Sequence, residues 1–246
     1  MSPEARQVIV LSDAEEIAHR AAERLIRRIT EGNERSAVCL TGGSTPERLY
    51  QLLATEPYRS RVPWQDVHWF IGDERFVAAS DPLSNFGMAC RLFLERVGVP
   101  PHTLHPVPTD AASSPEGAAR LYEAALKDFY AAERLEPGRP LFALVLMGLG
   151  SDGHTASLFP NSPALHEQRR WVVGVEQAGL APFVPRVTLT FPTLASAREM
   201  LFLVSGEEKR EILARVLSGD DLPADRAYCE GELVWLVDRA ARGAPR

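Results

Sequence analysis

The chain has 246 residues, of which 45% are hydrophobic and 24% charged, as is usual for a globular protein of one large domain or two small ones. The formal net charge is −6 and the basic residues are scattered, so we expect no nucleic acid partner. The N-terminus shows no basic segment followed by a long apolar run, and no stretch is apolar over the length that spans a bilayer. We therefore expect a cytoplasmic protein with no membrane partner.

Apolar runs rich in Val, Leu and Phe alternate with segments of helical period along the chain. This alternation predicts an α/β fold of the Rossmann-like kind, a mostly parallel sheet with helices on both faces. Because no repeat and no long Pro/Gly/Ser linker interrupts the pattern, we predict a single domain over residues 1–246, in which insertions could form a small subdomain. The predicted strands are 7–11, 36–41, 66–71, 141–147, 171–175, 186–191, 199–204 and 233–237.

Two helices have clear signals. Ser12 and Glu15 have the spacing of a capping box, and an apolar stripe follows them through Ile29, which predicts the first helix. A similar helix is predicted from residue 115 to the Pro137-Gly138 pair. In open parallel sheets, ligands bind beyond the carboxyl ends of the strands, where loops lead into helices. We therefore expect the functional residues in those loops.

The first such loop is Thr41-Gly42-Gly43-Ser44-Thr45-Pro46, which follows a predicted strand and leads into a predicted helix with Pro46 in its first turn. The glycines let the backbone approach a ligand, and N–H groups at a helix N-terminus attract anions. The motif predicts a phosphate site at Gly42, Gly43, Ser44 and Thr45. The alternative is a tight turn in which Thr45 caps the helix. The loop lacks the Lys of a nucleotide-binding P-loop, so ATP is not indicated.

The second loop, Gly72-Asp73-Glu74-Arg75, places three charges directly after a buried strand. Arg75 could hold a phosphate or carboxylate with two parallel hydrogen bonds, and Asp73 could orient it or contact sugar hydroxyls. The alternative is an ion pair on a solvated turn. Further along, the Ser84-Asn85 pair opens a helix and could cap it or hydrogen-bond a polyol; capping is favoured for Ser84.

The third loop follows the apolar strand 141–147 and has glycines spaced Gly-x-Gly-x-x-Gly over 148–153. This spacing is typical of dinucleotide-binding folds, which require a long helix after the third glycine. Pro160 and Pro163 interrupt that helix within two turns, which argues against a dinucleotide. The alternative is that the glycines approach a small ligand and hold Asp152 and His154 over it.

A histidine suits proton transfer at neutral pH, and a neighbouring carboxylate fixes its tautomer. Although a lone histidine is more often structural, the setting of His154 favours a general base, with Asp152 orienting either the imidazole or the substrate hydroxyls. The sequence contains no serine-hydrolase elbow, no zinc-binding His-Glu-x-x-His helix and no kinase signature. We therefore predict acid–base chemistry that uses water and requires neither a metal nor a cofactor.

The residues resemble the glucosamine-6-phosphate isomerase/6-phosphogluconolactonase family over nearly the whole chain. The most specific stretch is MGLGSDGHTASLFP at 147–160. In the isomerase/deaminase branch the histidine is typically followed by Ile-Ala-Phe-Asn-Glu-Pro, whereas here Thr-Ala-Ser-Leu-Phe-Pro follows, which is similar to the lactonase branch. The other matching segments are LTGGSTP at 40–46, GDER at 72–75, SNF at 84–86, PRVTLTFPTLASA at 185–197, VSGEEK at 204–209 and VWLVD at 234–238.

The resemblance implies an isomerase/CoA-transferase-like fold and hydrolysis of 6-phospho-D-glucono-1,5-lactone to 6-phosphogluconate, the second step of the oxidative pentose phosphate pathway. It also implies that Arg186 and Lys209 add positive charge at the phosphate, although the segment before Arg186 is more apolar than is typical of the family. We expect a monomer whose partner is a sugar-phosphate lactone. Two rival functions are an amino-sugar-phosphate isomerase/deaminase and a sugar-phosphate sensor without turnover.

Overall fold

The computed structural model describes residues 6–31 and 36–243. Their ten strands are β1 (Gln7–Leu11), β2 (Ser36–Leu40), β3 (Val67–Ile71), β4 (Asp73–Arg75), β5 (Leu104–His105), β6 (Leu144–Met147), β7 (Val172–Val175), β8 (Arg186–Leu189), β9 (Glu199–Val204) and β10 (Glu232–Asp238). Seven of them form one sheet in the order β1-β10-β9-β6-β2-β3-β5, with every neighbouring pair parallel. The predicted fold class is therefore confirmed.

The described residues also form eight α-helical segments, of which the last follows β10: α1 (Ala14–Thr30), α2 (Ser44–Leu53), α3 (Asn85–Ala89), α4 (Glu95–Val97), α5 (Pro115–Tyr130), α6 (Phe191–Ala195), α7 (Arg210–Ser218) and α8 (Arg239–Arg242). One π-helical turn, Cys90–Leu94, joins α3 to α4. Within the described ranges, no helix has both the length and the apolar character needed to cross a bilayer.

The helix boundaries correct two predictions. The capping box of α1 is one residue later than predicted: the Asp13 carboxylate accepts from the N–H of Glu16, and the Glu16 carboxylate accepts from the N–H of Ser12. The predicted helix at 115 begins as expected but ends at Tyr130, well before Pro137-Gly138, because Ala131 adopts the left-handed conformation (φ 58°) that terminates it.

A second, three-stranded antiparallel sheet has the order β4-β8-β7. The segments 171–175 and 186–191, predicted as strands of a mostly parallel fold, supply the antiparallel strands β7 and β8, and the charged segment predicted as a loop at 72–75 contains strand β4. This small sheet follows β3 directly, since only Gly72 separates β3 from β4. It brings residues 186–189, which are distant in sequence, against the carboxyl end of the main sheet.

Strands β2, β6 and β9 are buried along their whole length. Because successive side chains of a strand point to opposite faces, continuous burial means that both faces of the central sheet are covered. One hydrophobic core contains residues from the main sheet, the small sheet and the helices. The extension of this domain to all of residues 1–246 stays a prediction.

The hydroxyls of two buried tyrosines hydrogen-bond the backbone at the carboxyl ends of the adjacent strands β2 and β3. The Tyr50 hydroxyl donates to the carbonyl of Thr41 (2.7 Å) and accepts from its N–H (3.1 Å), and the Tyr122 hydroxyl bonds both backbone groups of Ile71 in the same way. Burial raises the pKa of both phenols. These hydroxyls satisfy backbone groups that have left the sheet ladder and would otherwise be buried without partners.

The strand order defines where a ligand can bind. After β2 the chain continues to β3 and β5 on one side of the sheet, whereas after β6 it continues to β9 and β10 on the other. The adjacent strands β2 and β6 are therefore a topological switch point, where the loops that follow them separate and leave a crevice.

Candidate active site

A cleft with a volume of about 190 Å³ lies at this switch point, the place where ligands bind in open α/β sheets. Its walls are the loops that follow β2, β3, β6 and β9. Eight of the ten predicted site residues line it: Gly42, Gly43, Ser44, Thr45, Asp73, Arg75, His154 and Lys209. Asp152 and Arg186 lie just behind the wall, each beside a lining residue.

The loop after β2 leaves the N-terminus of α2 open. Gly43 occupies the capping position with φ 99°, and no side chain accepts a hydrogen bond from the first turn of the helix. The predicted position of Pro46 in the first turn is confirmed, whereas Thr45 lies inside the helix and is not its cap. The uncapped N–H groups and the positive end of the helix dipole can bind an anion in the cleft.

His154 and Asp152 form a hydrogen-bonded pair. The distance between His154 Nδ1 and Asp152 Oδ1 is 2.5 Å, and the same carboxylate oxygen accepts from the N–H of His154 at 3.0 Å. Burial opposes ionisation of Asp152, but its bonds from the His154 side chain and backbone outweigh this and hold the pKa of the carboxyl below its ordinary value. An ionised Asp152 accepts the Nδ1 proton, which leaves Nε2 of a neutral His154 free to accept a proton.

The glycines of the third loop make room for this pair. A Cβ on Gly150 would lie 2.0 Å from His154 Nδ1, so only glycine fits beneath the ring. The N–H of Gly150 donates to the carbonyl of His154, and Gly153 has φ 85° and donates to the carbonyl of Gly150. No helix follows the third glycine before residue 163, which agrees with the argument against a dinucleotide.

Asp73 is tied to the histidine loop through Ser157. The buried Ser157 hydroxyl donates to Asp73 Oδ2 at 2.6 Å, and the Asn85 side-chain amide donates to the Asp73 carbonyl at 2.8 Å. No local sequence pattern indicates the role of Ser157, because a serine in a loop has many possible partners.

Glu74 holds together the wall of the cleft that contains Arg75 and Asn85. Its buried carboxylate accepts from the N–H groups of Arg75, Asn85 and Phe86 and from the Ser84 hydroxyl, all within 2.8–3.0 Å. Burial raises the pKa of Glu74 despite these bonds. Ser84 also accepts from the N–H of Gly87, so the prediction that Ser84 caps this helix is confirmed.

Three cationic side chains surround the cleft. Arg75 and Arg186 lie directly opposite each other on the antiparallel strands β4 and β8. Burial and the nearby positive charge of Arg75 lower the pKa of Arg186, whose Nη1 is buried without a hydrogen-bond partner in the part of the chain that the structure describes. Lys209 donates to the carbonyl of Leu149 at 2.8 Å. Two opposed guanidinium groups favour an anion between or beside them.

An anion-binding loop and an Asp–His pair at the carboxyl edge of a Rossmann-like sheet define a class of enzymes that perform acid–base chemistry on small phosphorylated substrates. A sequence profile described as glucosamine-6-phosphate isomerases/6-phosphogluconolactonase matches residues 12–235. The chain belongs to this family.

Individual relatives agree. A protein of Synechocystis sp. called 6-phosphogluconolactonase is 39% identical over 96% of this chain and 97% of its own, and one of Nostoc sp. with the same name is 36% identical over 96% and 97%. The crystal structure of 6-phosphogluconolactonase from Leishmania guyanensis superimposes with a TM-score of 0.85 at 29% identity, covering 98% of this chain and 100% of that one.

Proposed function

We propose that this protein hydrolyses 6-phospho-D-glucono-1,5-lactone to 6-phosphogluconate, a carboxylic ester hydrolysis in the oxidative pentose phosphate pathway. The observation that carries the proposal is the Asp152–His154 pair, whose free Nε2 lies beside a cleft that also contains an anion loop. The names of the relatives supply the identity of the substrate. A cytoplasmic location and a monomeric state stay predictions.

In the proposed mechanism, the substrate phosphate binds the N–H groups and hydroxyls of residues 42–45, with Lys209 and Arg186 supplying positive charge. His154 Nε2 takes a proton from water as the water oxygen attacks the lactone carbonyl carbon. The bond between that carbon and the ring oxygen then breaks, and the ring oxygen takes up a proton to give the hydroxy acid. Asp152 accepts a hydrogen bond from Nδ1–H of His154 throughout, so the imidazole keeps the correct tautomer and orientation.

The negative charge that develops on the carbonyl oxygen needs hydrogen-bond donors. Because the N–H groups of Gly150 and Gly153 already bond carbonyls inside the loop, they are not free to serve. Arg75 is the best placed side chain, since it lines the cleft and is anchored by a 2.6 Å bond from Nη1 to the carbonyl of Leu83. An oxyanion donor of this kind contributes about 10²–10³-fold to the rate.

The decisive assay follows acid release from freshly prepared 6-phosphogluconolactone, with the spontaneous rate subtracted. We expect clear catalysis by the wild type and a loss of about 10²–10⁴-fold in His154→Ala, which lacks the general base. His166→Ala is the matched control, because that histidine is exposed and lies outside the cleft. Near-normal activity of His154→Ala would show that another group activates the water.

The same preparation separates the rival functions. Ammonia release from glucosamine 6-phosphate would identify an isomerase/deaminase. Binding of 6-phosphogluconate without any lactone hydrolysis would identify a sensor.

A further inference from the structure

Asn85 is a cleft residue to which the mechanism assigns no role. It is the first residue of α3, it is 3% exposed, and it lines the cleft beside Gly42 and Asp73. Its backbone N–H donates to Glu74 Oε1 and its side-chain Nδ2 donates to the Asp73 carbonyl, both at 2.8 Å. The residue is therefore held once through its backbone and once through its side-chain amide, which limits the freedom of the amide to turn.

The orientation of the amide follows from these contacts. A carbonyl oxygen only accepts hydrogen bonds, so the Asn85 atom facing the Asp73 carbonyl must be Nδ2, and Oδ1 faces the other way. Oδ1 lies 1.9 Å from the position that a Cβ on Gly42 would occupy, so the glycine makes room for it. Among the described residues, no group donates a hydrogen bond to Oδ1, and the oxygen keeps access to the cleft.

This oxygen requires a particular kind of partner. An amide oxygen is an acceptor, so it gains nothing from an ionised phosphate, which also presents acceptors. In the proposed mechanism, the anionic end of the ligand is served by Arg186, Lys209 and the N-terminus of α2. The hydroxyl of a sugar ring can donate to Oδ1, and a buried acceptor left unpaired by a ligand carries a cost.

We propose that Asn85 is a specificity-determining residue that accepts a hydrogen bond from one ring hydroxyl of the sugar lactone. This inference rests on the proposed function, since it names the group of the same substrate that Asn85 contacts. Glu74 is the positioning residue for this contact, because it anchors the N–H of Asn85 at the start of α3.

The test compares kcat/KM for 6-phosphogluconolactone with kcat/KM for its 2-deoxy, 3-deoxy and 4-deoxy analogues. In the wild type, we expect one analogue to be disfavoured by about 10-fold relative to the other two, the effect of one neutral hydrogen bond. In Asn85→Ala, that selectivity should fall to near 1, because the parent lactone loses the bond and the analogue never makes it. Each selectivity is a ratio within one variant, so it does not depend on the folded fraction.

Ser84→Ala is the matched control, because Ser84 caps the same helix and bonds the same glutamate but does not line the cleft. It should keep the wild-type selectivity even if its stability falls. The proposal is overturned if Asn85→Ala retains the wild-type selectivity, that is, if it slows all four lactones by the same factor. If the wild type hydrolyses none of them, the proposed function itself has failed.

Discussion

Substitution of Gly150 by alanine tests the proposed catalytic geometry without changing any polar group. The added Cβ would lie 2.0 Å from His154 Nδ1 and 2.2 Å from Cε1, whereas real Cβ contacts are essentially never shorter than 3.0 Å. The φ of Gly150 is not positive, so alanine brings no backbone strain there. The imidazole must therefore move by about 1 Å or more.

A movement of this size disrupts the 2.5 Å contact between His154 and Asp152. Misplacement of a catalytic group by about 1 Å can cost 10²-fold in rate, and we expect kcat/KM of Gly150→Ala for the lactone to fall by at least about that factor. Gly148→Ala reports on stability when a methyl group is added to the same loop, because no atom lies within 4 Å of its Cβ position. Its thermal midpoint should stay close to that of the wild type.

A double variant shows whether the loss of activity is caused by movement of the His154 ring or by disturbance of the loop backbone. In a His154→Ala background the ring is absent, so adding Gly150→Ala should cause little further loss of activity. Wild-type kcat/KM in Gly150→Ala would refute the reasoning. A double variant far less active than His154→Ala would show that the methyl group disturbs the loop itself.

Three further predictions concern stability, pH and phosphate recognition. Tyr50→Phe leaves both buried backbone groups of Thr41 unpaired, so the free energy of unfolding measured in urea should fall by about 1–3 kcal/mol; an unchanged value would contradict the proposed role of the hydroxyl. Hydrogen bonds from Arg170 lower the pKa of Glu167 from 4.5 to about 2; the stability advantage over Glu167→Gln should thus be complete above pH 4.5 and disappear as the pH falls through about 2. A constant difference in urea midpoints across that range would disprove this. In Lys209→Met, KM for the phosphorylated lactone should rise by about 10-fold or more, while unphosphorylated gluconolactone should be unaffected; equal effects on both would place Lys209 away from the phosphate.

The central strands of the main sheet were largely predictable because they are buried on both faces, whereas the two-residue strand β5 was not predicted. A strand with two covered faces is apolar along its whole length, and this pattern is visible without knowledge of the partners. Strands β1 and β9 coincide with their predicted bounds, β2 and β3 differ by one residue at one end, and β10 is one residue longer at each end. Strand β6 begins three residues later than predicted, although its carboxyl end, which carries the histidine loop, is correct.

The start of α1 shows a limit of local sequence signals. Both Ser12 and Asp13 are good capping residues, and each has a glutamate three residues further on. The two possible capping boxes differ by a single step along the chain. The structure selects Asp13, and the side chain of Glu16 then reaches back to the N–H of Ser12.

The small sheet was not predictable from local patterns. Asp73–Arg75 is a charged tripeptide with no intrinsic tendency to form a strand, and it becomes one because β8 pairs with it from a distant part of the chain. The direction of β7 and β8 was equally hidden, since an apolar run does not show whether its neighbours are parallel or antiparallel.

This non-local pairing also explains why the loops and their common edge of the sheet could be predicted while the opposition of Arg75 and Arg186 could not. Each loop shows its own signal, through glycines, charges or a histidine after a strand. The opposition of Arg75 and Arg186 exists only after β4 and β8 have paired, and like charges directly opposite each other on a sheet are unfavourable. Folding therefore places two cations together where local packing does not favour them, and a bound anion relieves their repulsion. In the proposed mechanism, the two arginines whose pairing costs stability in the free protein bind the negative charges of the substrate, Arg186 at the phosphate and Arg75 at the developing oxyanion.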